Sequence, residues 1–292
     1  MARFTIIDAP SILGLRPTGV EFLPESLRAA GIGVGLNADY TGLVSSLPYN
    51  KERDKVTLLL NPDSIRTFSL QLAHIISSVL QREQFPIVLG GDCSILLGNL
   101  LALRLLGRYG LFFIDGHADF YQPEASLTGE VADMDLAIAS GRGPDVLTNI
   151  DGLKPLVRDE DIVLFGYRDT EEAAKYGSQD VRNTKIHAFD FTLVRESGIM
   201  RSAPQAVDRL LKVELDGFWI HLDADVLDDS IMPAVDYRLD GGLSYSELSE
   251  LLKIIIASGR AVGMDITIFN PNLDLDGSIA RKFVSSIVEG LS

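Results

Sequence analysis

The segment from Leu111 to Asp119 reads LFFIDGHAD and sets Asp115, His117 and Asp119 two residues apart. Side chains two apart on an extended chain point the same way, so all three can face one point. Two carboxylates and an imidazole there suit a divalent first-row metal. The plainer reading is a strand end entering a polar turn, with His117 merely hydrogen-bonded. A second run weighs against it: Phe218 to Asp228 reads FWIHLDADVLD and again places two aspartates, Asp223 and Asp225, in register at a strand's end. Four convergent carboxylates without a cation repel and raise one another's pKa, a conflict that a bound metal removes. A third run, VLGGDCS from Val88 to Ser94, passes from a strand through glycines into a helix. Glycines permit a tight turn and close approach, and the residues after them sit at a helix N-terminus. Cys93 in that place would have a stabilised thiolate, although most free cysteines are small buried hydrophobes.

The elements that must hold these residues alternate along the chain. Short apolar runs at 4–7, 86–89, 110–115, 162–166, 186–191, 217–223 and 261–269 predict strands, and helical patterns cover 64–83, 94–108, 170–176, 203–213, 245–258 and 278–290. The strands are continuously apolar rather than alternating, as expected where both faces of a sheet are covered. This order predicts an α/β fold with a parallel sheet and helices on both faces. The least regular regions are 8–55, 119–157 and 227–242, and two of them follow strands that end in aspartates. Ligands of open α/β sheets bind in such loops at the carboxyl ends of strands. No repeat, low-complexity tract or long linker divides the chain, so residues 1–292 are expected to form a single domain.

Composition narrows the partners. At 46% hydrophobic and 23% charged, the 292 residues can bury a sizeable core. A net charge of −15 disfavours an extended phosphate backbone, so no nucleic acid is expected. The one cysteine cannot form an internal disulfide. The N-terminal MARFTIIDAPSILGL lacks the apolar core of a signal peptide, and no run approaches the roughly 20 apolar residues that cross a bilayer. A cytoplasmic protein acting on a small molecule, away from membranes, is the expectation.

The three runs, in this order, resemble the ureohydrolases: arginase, agmatinase, formiminoglutamase and their relatives. That family shows Gly-Gly-Asp-His-Ser, Asp-Ala-His-x-Asp and Asp-x-Asp-x-x-Asp-Pro. Here they read GGDCS from Gly90, DGHAD from Asp115 and DADVLDD from Asp223, with GGLS from Gly241 and a late Asn270-Pro271 continuing the match. The resemblance implies a three-layer αβα sandwich with a central, mostly parallel sheet, assembled as trimers or hexamers. It implies two metal ions, usually manganese, that activate water for attack on a guanidinium, amidine or amide carbon. Carried over position by position, Asp115 and Asp223 bridge the metals, His117 and Asp225 complete one, and Asp119 with Cys93 completes the other. Asp225 or Asp228 would handle the proton.

Four departures change the expectation. Cys93 stands where the family has histidine, which shifts preference from Mn2+ toward Zn2+, Ni2+, Co2+ or Fe2+ and leaves one ion as an alternative to two. Ile268 stands where a carboxylate receives the guanidinium, and burying that cation beside isoleucine costs on the order of several kcal/mol. Ala132 replaces a histidine in the loop after Asp119, where Tyr121 and Glu130 take the place of asparagines; Thr128 belongs to the same substrate-facing loop. Asp229 replaces a proline, which alters loop stiffness more than chemistry. Glu171, after Gly166-Tyr167-Arg168-Asp169, resembles a substrate-contacting position, and Asp133 offers a substitute acid or base.

The sequence therefore predicts a metal-dependent hydrolase of a non-peptide C–N bond in a linear amide or amidine, and neither arginase nor agmatinase itself. A non-catalytic family member, structural or regulatory, is the competing reading. A thiol enzyme using Cys93 is a third, although no histidine lies near it in sequence. His74 reads as structural, His187 and Asp190 are given no role, and His221 reads equally as a packed strand histidine or a group supporting the metal ligands.

Overall fold

Eight strands line up side by side: β1 (Phe4–Asp8), β2 (Asp39–Leu43), β3 (Phe85–Leu89), β4 (Tyr109–Ile114), β5 (Ile162–Phe165), β6 (His187–Phe189), β7 (Gly217–Asp223) and β8 (Ala261–Thr267). Their spatial order is β2-β1-β3-β8-β7-β4-β5-β6, and every neighbouring pair runs parallel. This computed structural model describes residues 3–212 and 214–292. The helices are α1 (Leu23–Ala29), α2 (Ile32–Gly35), α3 (Pro62–Leu80), α4 (Leu96–Leu106), α5 (Asp135–Ala139), α6 (Asp145–Thr148), α7 (Thr170–Lys175), α8 (Phe191–Ser197), α9 (Ile199–Leu211), α10 (Tyr245–Ala257) and α11 (Ser278–Leu291).

The continuous apolar strands are buried on both faces, as their composition requires. Along β4, Phe112 and Ile114 face one core while Leu111 and Phe113 face the other. Helices α1, α2 and α8 to α11 supply the first core, and α3 to α6 supply the second. Each fully buried Leu, Ile, Val or Phe contributes roughly 1.5–3 kcal/mol, so the two layers fix the central strands β3, β8, β7 and β4. The result is the expected three-layer sandwich. Among the described residues no helix is long and apolar enough to cross a membrane.

Differences from the expected elements have local causes. Strand β2 falls inside the region read as irregular because its residues, Asp-Tyr-Thr-Gly-Leu, form a largely exposed edge. Helices α1, α2, α5, α6 and α8 are too short to show a helical period over a full window. Helix α9 begins at Ile199 rather than at 203 and carries Pro204 in its interior; Val213, the last residue of that expected helix, lies outside the described residues. The strand expected over 261–269 ends at Thr267, because Ile268 turns into the left-handed region at φ 67°.

Candidate metal centre

The carboxyl ends of β3, β4, β7 and β8 converge, and the three motifs occupy three of them. After β3 the chain passes so close to the loop following β1 that a Cβ on Gly91 would fall 1.8 Å from the Ser11 carbonyl oxygen, so only glycine fits. Asp92 then clamps the turn, accepting from the Ser94 amide (2.9 Å) and from the Ser11 hydroxyl (2.7 Å). This turns Cys93 inward, with Sγ 3.0 Å from Asp223 Oδ2 and 3.2 Å from Thr267 Oγ1.

After β4, Asp115 accepts from the His117 amide at 2.6 Å through Oδ1, while its Oδ2 has no partner. His117 Nδ1 lies 2.8 Å from Asp225 Oδ2 and 3.8 Å from Asp115 Oδ1. After β7, Asp223 caps a 3-10 turn by accepting from the Asp225 amide at 2.7 Å, and Asp225 accepts from the Gly116 amide at 3.0 Å. The backbone thus holds these carboxylates at fixed positions. Asp119, at φ 45°, sits in a strained conformation uncommon outside glycine. Its carboxyl lies against that of Asp135 on α5, which is fully buried with no donor reaching either oxygen.

Two groups of ligand atoms result, each lying within 4.8 Å of one another: Cys93, Asp115, His221 and Asp223, and Asp115, His117 and Asp119. Orphaned oxygens on Asp115 and Asp135 and the orphaned Nε2 of His221 fit a cation among them. The titration behaviour agrees. Burial pushes Asp115 up to about 6, with the Asp225 charge adding to it. Burial, then Asp225 and Asp115, hold Asp223 well above the usual range, and burial with Asp115 and Asp135 does the same for Asp119. Burial likewise raises the Cys93 thiol, with Asp223 next. Burial alone would lower His117, but Asp225 overcomes it and raises the imidazole; the same pair, against burial, lowers Asp225.

A cavity of ≈ 260 Å³ opens onto these groups. Cys93, His117, Asp119, Asp223 and Asp225 form its floor together with Ile268. Tyr121, Thr128 and Glu130, expected to face substrate, line its wall, as does Asp133, whose carboxyl burial pushes up to about 8 with Glu130 beside it. Two expected site residues are elsewhere. Asp228 lies past the 3-10 turn that swings the chain away, and its Oδ1 is taken by the amide (3.0 Å) and hydroxyl (2.5 Å) of Ser230. Glu171 is exposed at the start of α7, and its neighbour Glu172, about 100° further round the helix, lines the cavity instead.

Other residues carried no local signal. Tyr237 donates to Glu130 Oε2 at 2.5 Å. Asp135 sits in a short helix that sequence reading missed. His221 was legible as a neighbour of Asp223 on one strand face, but its partner Asp265 is its opposite number on β8 and is reached only through sheet register.

An all-parallel three-layer sandwich with Asp and His side chains gathered at its strand ends, and Cys93 where the family has histidine, fits the ureohydrolase class. Comparison with known proteins agrees. The sequence matches the family model described as "Arginase family" over residues 2–291. It is 30% identical to an arginase of Staphylococcus aureus over 290 residues, covering 97% of this chain and 94% of that protein. The arginase structure from Bacillus caldovelox superposes with a TM-score of 0.88 at 27% identity, covering 100% of this chain and 99% of that one. That from Bacillus cereus gives 0.88 at 26%, covering 99% and 98%. The chain belongs to the arginase family. Membership and the buried chelating cluster together support a metal-dependent hydrolase of the ureohydrolase type.

Proposed function

We propose that this protein hydrolyses a non-peptide C–N bond in a small linear amide or amidine, and that arginine and agmatine are not its substrates. The observation that carries the first part is the convergence of ligand atoms from three strand ends beneath one cavity. A divalent metal bound there supplies activation of water and polarisation of the substrate's carbonyl or amidine. Asp115, His117, Asp119, Asp223 and Asp225 are the holding residues, with Cys93 joining them. Asp225 Oδ2, 2.8 Å from His117 Nδ1, would take up the proton of the attacking water. Cys93 favours zinc, nickel, cobalt or iron over the manganese implied by the family.

The substrate reading rests on Ile268. It lies on the cavity floor, 5% exposed, and offers no counter-charge to a guanidinium. A neutral amide suits that apolar floor position better than any cation. The carboxyl groups of Glu130, Asp133 and Glu172 line the same cavity, and on this reading they would meet the remote end of the substrate.

The test is turnover of a panel of short linear amides and amidines, with arginine and agmatine included, before and after chelation. Amide cleavage that disappears on chelation and in Asp223→Asn is the expected result. Vigorous urea release from arginine would overturn the reading of Ile268. Protein that takes up no manganese, zinc or nickel would move the assignment to a non-catalytic family member.

A further inference from the structure

His221 lies two residues before Asp223 on β7, so both side chains leave the same face of the sheet. That face is covered by α4, and the histidine is wholly buried beneath it. A buried imidazole in such a place must have both ring nitrogens satisfied or incur a cost of roughly 1–3 kcal/mol for the one left over. One is satisfied: Nδ1 lies 2.6 Å from Asp265 Oδ2. Asp265 is itself held, accepting at Oδ1 from the Trp219 indole (2.5 Å) and from Asn99 Nδ2 on α4 (2.8 Å). Phe113 stacks on the imidazole at 4.4 Å and 19°. The ring is therefore fixed in orientation by a hydrogen bond on one edge and an aromatic face against it.

The other nitrogen has no partner. Nε2 stands 3.9 Å from Asp115 Oδ2, which is also buried and also without a partner. That separation is too long for a hydrogen bond. It is near the ~3.4 Å between neighbouring ligand atoms of a tetrahedral ion with bonds of about 2.1 Å. A purely structural imidazolium would close on a carboxylate at both nitrogens, and here it closes on one. Cys93 Sγ and a carboxylate oxygen of Asp223 complete a set whose members all lie within 4.8 Å of one another.

We infer that His221 is a metal ligand, acting with Cys93, Asp115 and Asp223, and that Asp265 is the carboxylate that orients it. The imidazole missing at Cys93, after β3, is thereby returned from β7, two strands along the sheet, three strand ends still supplying the site. One nitrogen, one sulfur and two oxygens suit zinc or cobalt(II) better than manganese. A carboxylate behind the distal nitrogen is the usual support for a metal-binding histidine. This inference rests on the metal-dependent reading above.

The chain has four histidines, which makes the ligand identifiable by subtraction. His74 is exposed on α3 and His187 lies on β6, so His117 and His221 are the two at the site. The experiment is zinc stoichiometry and zinc X-ray absorption on the full chain and on His117→Ala, with cobalt(II) spectra of both. The expected result is zinc retained in His117→Ala with imidazole and sulfur scattering still present, and a thiolate-to-cobalt charge-transfer band preserved. His221→Gln should bind zinc at least ~100-fold more weakly, and Asp265→Asn should weaken it by about 10–100-fold. Zinc retained in His117→Ala without imidazole scattering would overturn the inference and leave the hydrolase reading standing. No zinc or cobalt uptake by the unaltered protein would remove both. Should His221→Gln fail to fold, the His117→Ala result decides alone.

Discussion

The floor and the wall of the cavity are built differently. The floor is made of strand ends: Asp223 closes β7, Asp115 follows β4 directly and Cys93 sits four residues past β3, and backbone amides or cap geometry hold them. The wall is made of loops, with Tyr121, Thr128, Glu130 and Tyr237 on segments between elements and Asp133 at the end of a 3-10 turn. On the floor the charged residues of the family motifs persist almost throughout, whereas the wall and Ile268 depart from them. Strand ends fix position to within the rigidity of the sheet, so a ligand set there changes only by exchange, as with Cys93 and His221. Loop residues are free to vary with the substrate.

The hardest blow to that comparison is removal of a floor carboxylate. Asp223→Asn leaves Cys93 and the Asp225 amide without their anionic partner and removes a ligand. Activity on the best amide should fall on the order of 10³-fold or more, several kcal/mol of transition-state stabilisation being lost with the metal. The check is kcat together with bound metal by elemental analysis; full activity with full metal would show that the floor is not the reacting centre. Next in size is Ile268→Glu, which places a carboxylate on the floor. It should shift the preference between cationic and neutral substrates by about 10–100-fold toward the cation, equivalent to roughly 1.4–3 kcal/mol. The same φ of 67° must be held by glutamate, which is not β-branched and is strained there no more than isoleucine. Specificity constants for paired amide and amidine substrates measure it, and an unchanged ratio would separate residue 268 from recognition.

How much of this was legible in the sequence follows the same division. The spacing of Asp115, His117 and Asp119, and of Asp223 and Asp225, is a property of one strand end each, so local reading finds it. The continuous apolar runs at β3, β4, β7 and β8 reveal the sheet for the same reason. His221 and Asp265 form a pair across 44 residues, and only the register of β7 on β8 brings them together. Asp135 faces Asp119 from a five-residue helix that shows no period. Glu172 replaces Glu171 at the cavity through one step of helix rotation, which no composition reveals. Asp228 fits its motif by spacing, yet the turn after Val226 carries it off.

A smaller effect probes the wall. Tyr237→Phe deletes the hydroxyl that donates to Glu130, leaving Arg16 Nε at 3.5 Å from the other carboxylate oxygen as its remaining partner. A hydrogen bond to a charged group is worth about 1.5–3 kcal/mol, and Arg16 offsets part of the loss. KM should rise about 3–10-fold with kcat nearly unchanged, if, as proposed, the wall meets the remote end of the substrate and not the reacting atoms. An equal fall in kcat with unchanged KM would place Tyr237 in the chemistry and dissolve the division between wall and floor.

The smallest effect is a matter of protons and of stability rather than rate. Burial, with Glu130 adjacent, pushes Asp133 up to about 8 from the ordinary 3.8. Between those values the folded chain holds a proton that the unfolded chain has released, so the folded state binds more protons. Stability from this group therefore falls as pH rises from about 4 to about 8, and levels off above. Asp133→Asn keeps an acceptor for the Ser126 hydroxyl, which now donates to Oδ2 at 3.2 Å, but removes the titration. In chelator-treated protein the variant should match the parent near pH 4 and exceed it by a few degrees in Tm near pH 8. Thermal melts of both proteins across that range, compared as a difference, cancel the floor carboxylates they share. A difference that does not grow with pH would mean that Asp133 is ionised in the wall, and the wall would then carry a fixed anion where a neutral acid is expected.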